Sequence, residues 1–297
     1  MSPTRLLTIE VVNVKRCKLN SLDRTSSIVM IPISLGWSPD VPDLRDRHLN
    51  YDEVQPLPQY VDLREPQLEL ESPDCRLSDS SCAVSIVKLL DWQHRKWTGE
   101  RLRGSAEFLH LLTMRTQGKN GVGLRSALKT LKRFGSPPPR LCDDVANPQT
   151  MLDRPEFFGF HQRFHSIQYL RLDTWRHHPN ETLQLMKCWI ANGNPLVVGF
   201  AVPHNFPGLT PVIPFDERRG GTRGGTACVV MGYDTKLATT EDIRTSDNDR
   251  AVTGAFLVHV CFDRASDHDG YFWLPFTYVE TSFAKDAWAI RNPEWDW

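Results

Sequence analysis

The chain lacks charge imbalance, long apolar runs and paired cysteines, and each shortage excludes a class of protein. Thirty-five Lys and Arg face 36 Asp and Glu, a net charge of −1. So even a balance gives no electrostatic reason to expect nucleic acid or an anionic membrane as partner. No stretch approaches the ~20 apolar residues of a membrane-spanning helix. The opening "MSPTRLLTIEVVNVKRCKLN" lacks the apolar centre and cleavage site of a secretory signal. Seven cysteines form no CxxC pair, which fits neither a disulfide framework nor a structural zinc site. A reducing, cytoplasmic setting is the expectation, with no metal and no cofactor.

What is present suits one large domain or two closely joined lobes: 297 residues, 40% hydrophobic and 24% charged. Residues 1–29 show no turn-bounded pattern like the remainder, and Met30 could itself begin a protein. The halves beyond differ in character. Helical periodicity covers 81–98, 104–116 and 123–135, the last closing on basic residues before Gly135. "SPPPRLCDD" (136–144) breaks the chain, and one more helix is expected over 180–193. Short apolar runs bounded by Gly, Pro and Asp then read as strands over 195–202, 226–234, 255–263 and 270–275. Helices first and strands later point to an α+β architecture with segregated lobes.

The stretch "SDSSCAVSIVKLLDW" (78–92) carries the sharpest question. Ser81 is the simplest N-cap, and a helix apolar on most sides follows, so it belongs in the interior. Cys82 then falls in the first turn, where the helix dipole favours a thiolate. A small packing residue fits the same position. Other signals are weak. His161 and His165 in "HQRFH" lack the glutamate of a zinc helix, "RRGGTRGGT" (218–226) lacks the ending of a phosphate loop, and "DRASDHDG" (263–270) fails the alternation of a calcium loop.

Several segments resemble, in order and spacing, the bacterial branch of the papain-like cysteine peptidases. They are "GWSPDVPDLRD" (36–46), "LPQYVDLR" (57–64), the Ser-Ser-Cys helix, "SALKTLKRFGSPPP" (126–139), "NPLVVGF" (194–200), "GGTACVVMGYD" (224–234) and "GYFWLP" (270–275). The resemblance spans about residues 36–291. It implies a papain-like two-lobed fold, with a helical left lobe, a β-barrel-like right lobe and a substrate cleft between them. Residues 1–35 are then an N-terminal extension, 36–145 the mainly helical lobe and 146–297 the mainly β lobe. The resemblance also puts the nucleophile at Cys82. It implies a histidine where this chain has Thr226, an orienting asparagine at Val260 and an oxyanion glutamine at Arg76.

Thiol acyl transfer needs an imidazole to stabilise the thiolate and protonate the leaving amine, and donors to hold the oxyanion. Threonine supplies no proton shuttle near neutral pH. Two readings follow. In one, the chain is a pseudopeptidase that binds a peptide or protein ligand in the interlobe cleft. In the other, a peptidase or acyltransferase works through a rearranged site, with His204 in "VPHNFPG" as substitute base and His259 next in line. Alternation along its strand turns His259 away from the cleft.

Overall fold

The computed structural model describes residues 35–49, 56–65, 68, 70, 79–117, 122–143, 145, 147–174, 177–206, 210–215, 221–238, 253–261 and 269–294. The first helix, α1 (Ser81–Thr98), spans the stretch expected from its periodicity. It stops where Gly99 enters the left-handed region and its N–H bonds back to the Arg95 carbonyl. Arg95 and Lys96 face the negative end of the dipole in its last turn. α2 (Ala106–Gln117), α3 (Leu124–Phe134) and a short α4 (Pro139–Asp143) follow. Two 3₁₀ stretches, Pro148–Asp153 and Pro155–Arg163, each open on a proline. α5 (Pro179–Ala191) starts with a capping box, in which His178 accepts from the Asn180 N–H and Glu181 accepts from the His178 N–H.

Among the described residues seven strands form one antiparallel sheet: β1 (Tyr60–Asp62), β2 (Gln168–Arg171), β3 (Leu196–Pro203), β4 (Thr222–Ala238), β5 (Thr253–Val260), β6 (Tyr271–Pro275) and β7 (Ala284–Arg291), with α6 (Thr277–Glu280) between the last two. The order is β2-β7-β3-β4-β5-β6, with β1 added to β4. The expected barrel-like closure is not what the strands make. Among the described residues β2 and β6 remain opposite ends of an open sheet, and a barrel requires its outer strands to pair. The mixed helical and antiparallel architecture otherwise follows the expectation. β1 and β2 are too short to show a period, and a bulge interrupts β7, so none of the three was legible beforehand.

Alternation along the strands builds a core on each face. On one face Val197, Ala227, Val229, Met231, Trp288 and Ile290 pack against Cys82, Ile86 and Leu89 of α1 and against α3. On the other, Val198, Phe200, Cys228, Val230, Val258 and Val260 pack with Leu183, Met186 and Ile190 of α5. A smaller cluster joins α2 to the 3₁₀ stretches through Phe108, Met151 and Phe157. Each wholly buried aliphatic or aromatic side chain contributes ~1.5–3 kcal/mol. The α1 helix is therefore held as a central strut, with the Cys82 turn close to β4.

Candidate functional site

The N-terminus of α1 is secured by its neighbours rather than by a conventional cap. The N-cap is Ser80, not Ser81, and its side chain makes no capping bond. Ser81 is the first helical residue. Its N–H donates to the Leu35 carbonyl at 3.2 Å, and its hydroxyl oxygen accepts from the Ala227 N–H at 3.1 Å. The serine is diverted because an orphan helix donor and an unpaired β4 N–H can both be satisfied at this junction.

Cys82 is wholly buried, and its Sγ donates to the Val122 carbonyl at 2.9 Å. Burial pushes its thiol well above the ordinary value, with the carboxylates of Asp40 and Asp286 adding to the rise and the Ser81 hydroxyl offsetting part of it. A helix end is worth at most ~1–2 kcal/mol to an anion, less than the desolvation of a buried thiolate. The dipole effect expected for this position is overridden, and Cys82 is held as a neutral thiol.

A strap formed by residues 35–40 seals this region. The Trp37 N–H donates to the Gly225 carbonyl at 3.1 Å, and its indole belongs to the same core as Cys82. A Cβ at Gly199 or Gly225 would collide with that indole, so both glycines are needed for the close approach. The strap is anchored by Asp286. Between Val197 and Gly199 the β3–β7 register shifts, and Asp286 at the bulge has φ 58°, which turns its carboxylate inward. That carboxylate accepts from Trp37 Nε1 (3.0 Å), the Asp40 N–H (2.8 Å) and Arg171 Nη2 (2.6 Å). Asp173 in turn accepts from the N–H groups of Asp286 and Ala287. Asp40 accepts from the Arg125 N–H, while Asp46 accepts from Arg125 and Arg171. Three carboxylates, Asp46, Asp173 and Asp286, thus share two guanidiniums, with Asp40 held by a backbone N–H beside them. Burial, followed by repulsion from Asp40 and Asp173, pushes Asp286 up to about 7.

The other positions that the resemblance implies are Thr226, Val260 and Arg76, with His204 and His259 as the alternatives. Thr226 is buried in β4, opposite Phe200, and its hydroxyl makes a long 3.4 Å contact to the Ala227 carbonyl. Val260 is buried in the core on the sheet face away from α1, paired with Cys228. Arg76 lies outside the described residues. His204 is exposed on the turn after β3, four residues beyond the Phe200–Thr226 level, about 13 Å along the strand. No hydrogen bond joins it to Cys82. His259 is buried and turned to Lys88, whose Nζ lies 3.4 Å from its Nδ1. Burial lowers Lys88 to about 7 and, aided by Lys88, drives His259 well below its ordinary value. The pair is a buried amine and a neutral imidazole.

The weaker signals can be placed where they are described. His161 and His165 are tilted neighbours with ring centroids 5.6 Å apart, and no group of three metal-ligating side chains forms among the described residues. Residues 222–226 open β4; 218–220 and most of 263–270 lie outside the described residues. Cys82, Cys142, Cys188 and Cys228 form no disulfide, whereas Cys261 is disulfide-bonded, which the expectation of a reducing setting did not anticipate. Sequence reading missed the carboxylate clamp. Asp40 and Asp46 sit in "GWSPDVPDLRD", yet Asp173 and Asp286 carry no local pattern to link them to it.

No family model matches the chain, and no curated protein matches it either. Solved structures do. Xylellain, a cysteine protease from Xylella fastidiosa, superposes with a TM-score of 0.68 at 22% identity, covering 92% of this chain and 99% of its own. The fold is that of the papain-like cysteine proteases. Procathepsin B S9 from Trypanosoma congolense (TM-score 0.55, 16% identity, 87% and 85% covered) carries the same papain-like fold. So does digestive procathepsin L 3 of Tenebrio molitor larval midgut (0.53, 14%, 87% and 76%).

Proposed function

We propose that this chain is a papain-fold protein without thiol peptidase chemistry, working by binding a peptide or protein. The observation that carries this reading is the state of Cys82: a neutral, wholly buried thiol donating to the Val122 carbonyl. The resemblance in segment order supports it too, since it puts Thr226 at the position of the imidazole and Val260 at that of its orienting amide. Loss of acid–base catalysis alone removes about 10²–10⁴ in rate, and a catalytic constellation fails as a unit. Binding is supported by the strap. Its backbone bonds to Ser81 and Gly225 are the kind an extended peptide makes, so this junction already receives a chain segment.

The test is turnover of a fluorogenic peptide library by the full chain beside its Cys82→Ala variant. Equal, background rates are expected from both. Turnover abolished by Cys82→Ala would overturn the reading and favour the rearranged site with a base such as His204. The variant Thr226→His should stay near background, because its ring would lack an orienting acceptor. Adding Val260→Asn and Arg76→Gln supplies the missing partners and should give cysteine-dependent turnover once the strap is displaced.

A further inference from the structure

The exposed face of α3 borders a cavity of about 420 Å³, lined by Lys129, Lys132, Arg133 and Phe134 of α3, Thr116 of α2 and Tyr169 of β2. Thr130 completes the lining but is itself only 3% exposed. The helical turn sets Lys129, Lys132 and Arg133 at i, i+3 and i+4, side by side on one face. Like charges so spaced destabilise a helix, and among the described residues no carboxylate lines the cavity to offset them. In a chain whose net charge is −1, three cations gathered without an acid are a local exception.

Lys132 Nζ donates to the Ile167 carbonyl at 2.8 Å, which ties α3 to the chain entering β2 and leaves the ammonium two further N–H groups. Lys129 is half-exposed; the acid beside it, Asp43, stands 3.7 Å away with its carboxylate already held by Arg45. Arg133 is exposed and lies 5.0 Å from the centroid of the Phe134 ring. It makes no ion pair and no side-chain hydrogen bond among the described residues. Tyr169 is fixed edge-on against the buried Trp288 ring (5.7 Å, 74°), and its hydroxyl has no partner among the described residues. Thr116 turns its hydroxyl proton to the Leu112 carbonyl, so it adds no donor. The negative end of the α3 dipole explains cations at Lys132 and Arg133. It explains neither Lys129, a turn earlier, nor the phenol brought in by another element.

We propose that this cavity binds a phosphate monoester dianion carried on an apolar body. Arg133 and Lys129 supply the charge, Lys132 and the Tyr169 O–H donate beside them, and the apolar body lies on the Phe134 ring. A carboxylate, with one charge and two oxygens, is satisfied by a single guanidinium fork. A phosphate ester has close to two charges and three terminal oxygens at pH 7, enough to engage donors arriving from two elements. The site shares no residue with the Cys82 junction.

The experiment titrates the full chain by calorimetry at low salt with phenyl phosphate, inorganic phosphate and benzoate. Phenyl phosphate should bind; inorganic phosphate should bind several-fold more weakly for want of the apolar body, and benzoate about tenfold more weakly for want of the second charge. Arg133→Gln should weaken phenyl phosphate about tenfold, as loss of one charge-assisted hydrogen bond does. Tyr169→Phe keeps the ring on Trp288, removes the O–H and should weaken binding several-fold. Lys236→Gln removes an exposed cation on β4 outside the cavity and should leave the affinity unchanged. Arg133 is exposed, so its variant keeps the test open if Tyr169→Phe fails to fold. The proposal is overturned by no saturable binding of phenyl phosphate, by benzoate or inorganic phosphate binding as tightly, or by equal effects of Arg133→Gln and Lys236→Gln.

Discussion

The two ends of α1 make opposite provisions for their polar groups. At the N-terminal end, the Ser81 N–H, the Ser81 hydroxyl, the Cys82 thiol and the strap carboxylates all have partners inside the molecule. At the C-terminal end, Gln93 and Asn292 keep buried polar atoms without one, beside an open cavity. Satisfied groups add to the stability of the junction, whereas each unmet buried group costs ~1–3 kcal/mol. The motif that draws attention to the first end is therefore a guide to fold, and hydrogen-bond accounting is the guide to the second.

The contrast breaks most severely at Trp37. Trp37→Ala removes an indole packed over Gly199 and Gly225 and bonded to Asp286, and should destabilise by ~3–5 kcal/mol in urea unfolding. The same variant should speed iodoacetamide labelling of Cys82. Unchanged labelling would mean that the strap is not what seals the thiol.

Next in size is the pH dependence held by Asp286. Its carboxyl is raised from 3.8 to about 7 in the folded chain, so the folded state holds the extra proton between those values. Its contribution to stability is full below about 4 and is lost as pH rises through 7. Asp286→Asn, which carries no titrating proton, should remove that slope, a difference on the order of 4 kcal/mol. Parallel stability profiles for variant and wild type would show that another group shares the proton.

Lys88 works with the opposite sign. Its amine is lowered from 10.5 to about 7, so the folded state binds fewer protons across that window and stability rises with pH from 7 to 10.5. Lys88→Met should flatten this rise and be neutral or stabilising by ~1–2 kcal/mol at neutral pH, since a buried amine gives way to an apolar chain. A fall in stability at pH 7 would assign the amine a structural role beside His259.

Smallest is Cys82→Ala, about 1 kcal/mol by loss of a small packed group. In the wild type, iodoacetamide labelling of Cys82 should be slow at neutral pH and climb as pH rises, since no imidazolium depresses the thiol. Fast labelling at pH 6 that disappears in Cys82→Ala would reveal an activating group.

How much of this was legible follows the range of each interaction. Sequence alone placed α1 over 81–98, bracketed α3 and α5 within two residues, and found β3 to β6, because each carries its own period and its own stop signal. The ordered segments from "GWSPDVPDLRD" to "GYFWLP" pointed to the papain-like fold and to Cys82, Thr226 and Val260. Chemistry that depends on residues far apart was not legible. Asp286 meets Trp37 across 249 positions, and Gln93 reaches the Ile290 carbonyl across 197. The bulge that aims Asp286 has no local signature, nor has the openness of the sheet, which rests on two outer strands failing to meet. Above all, sequence put a cysteine at a helix N-terminus, where the dipole favours a thiolate; only packing decided that it would be dry. Desolvation depends on every atom around the sulfur, and those atoms are gathered by the fold rather than by the chain order.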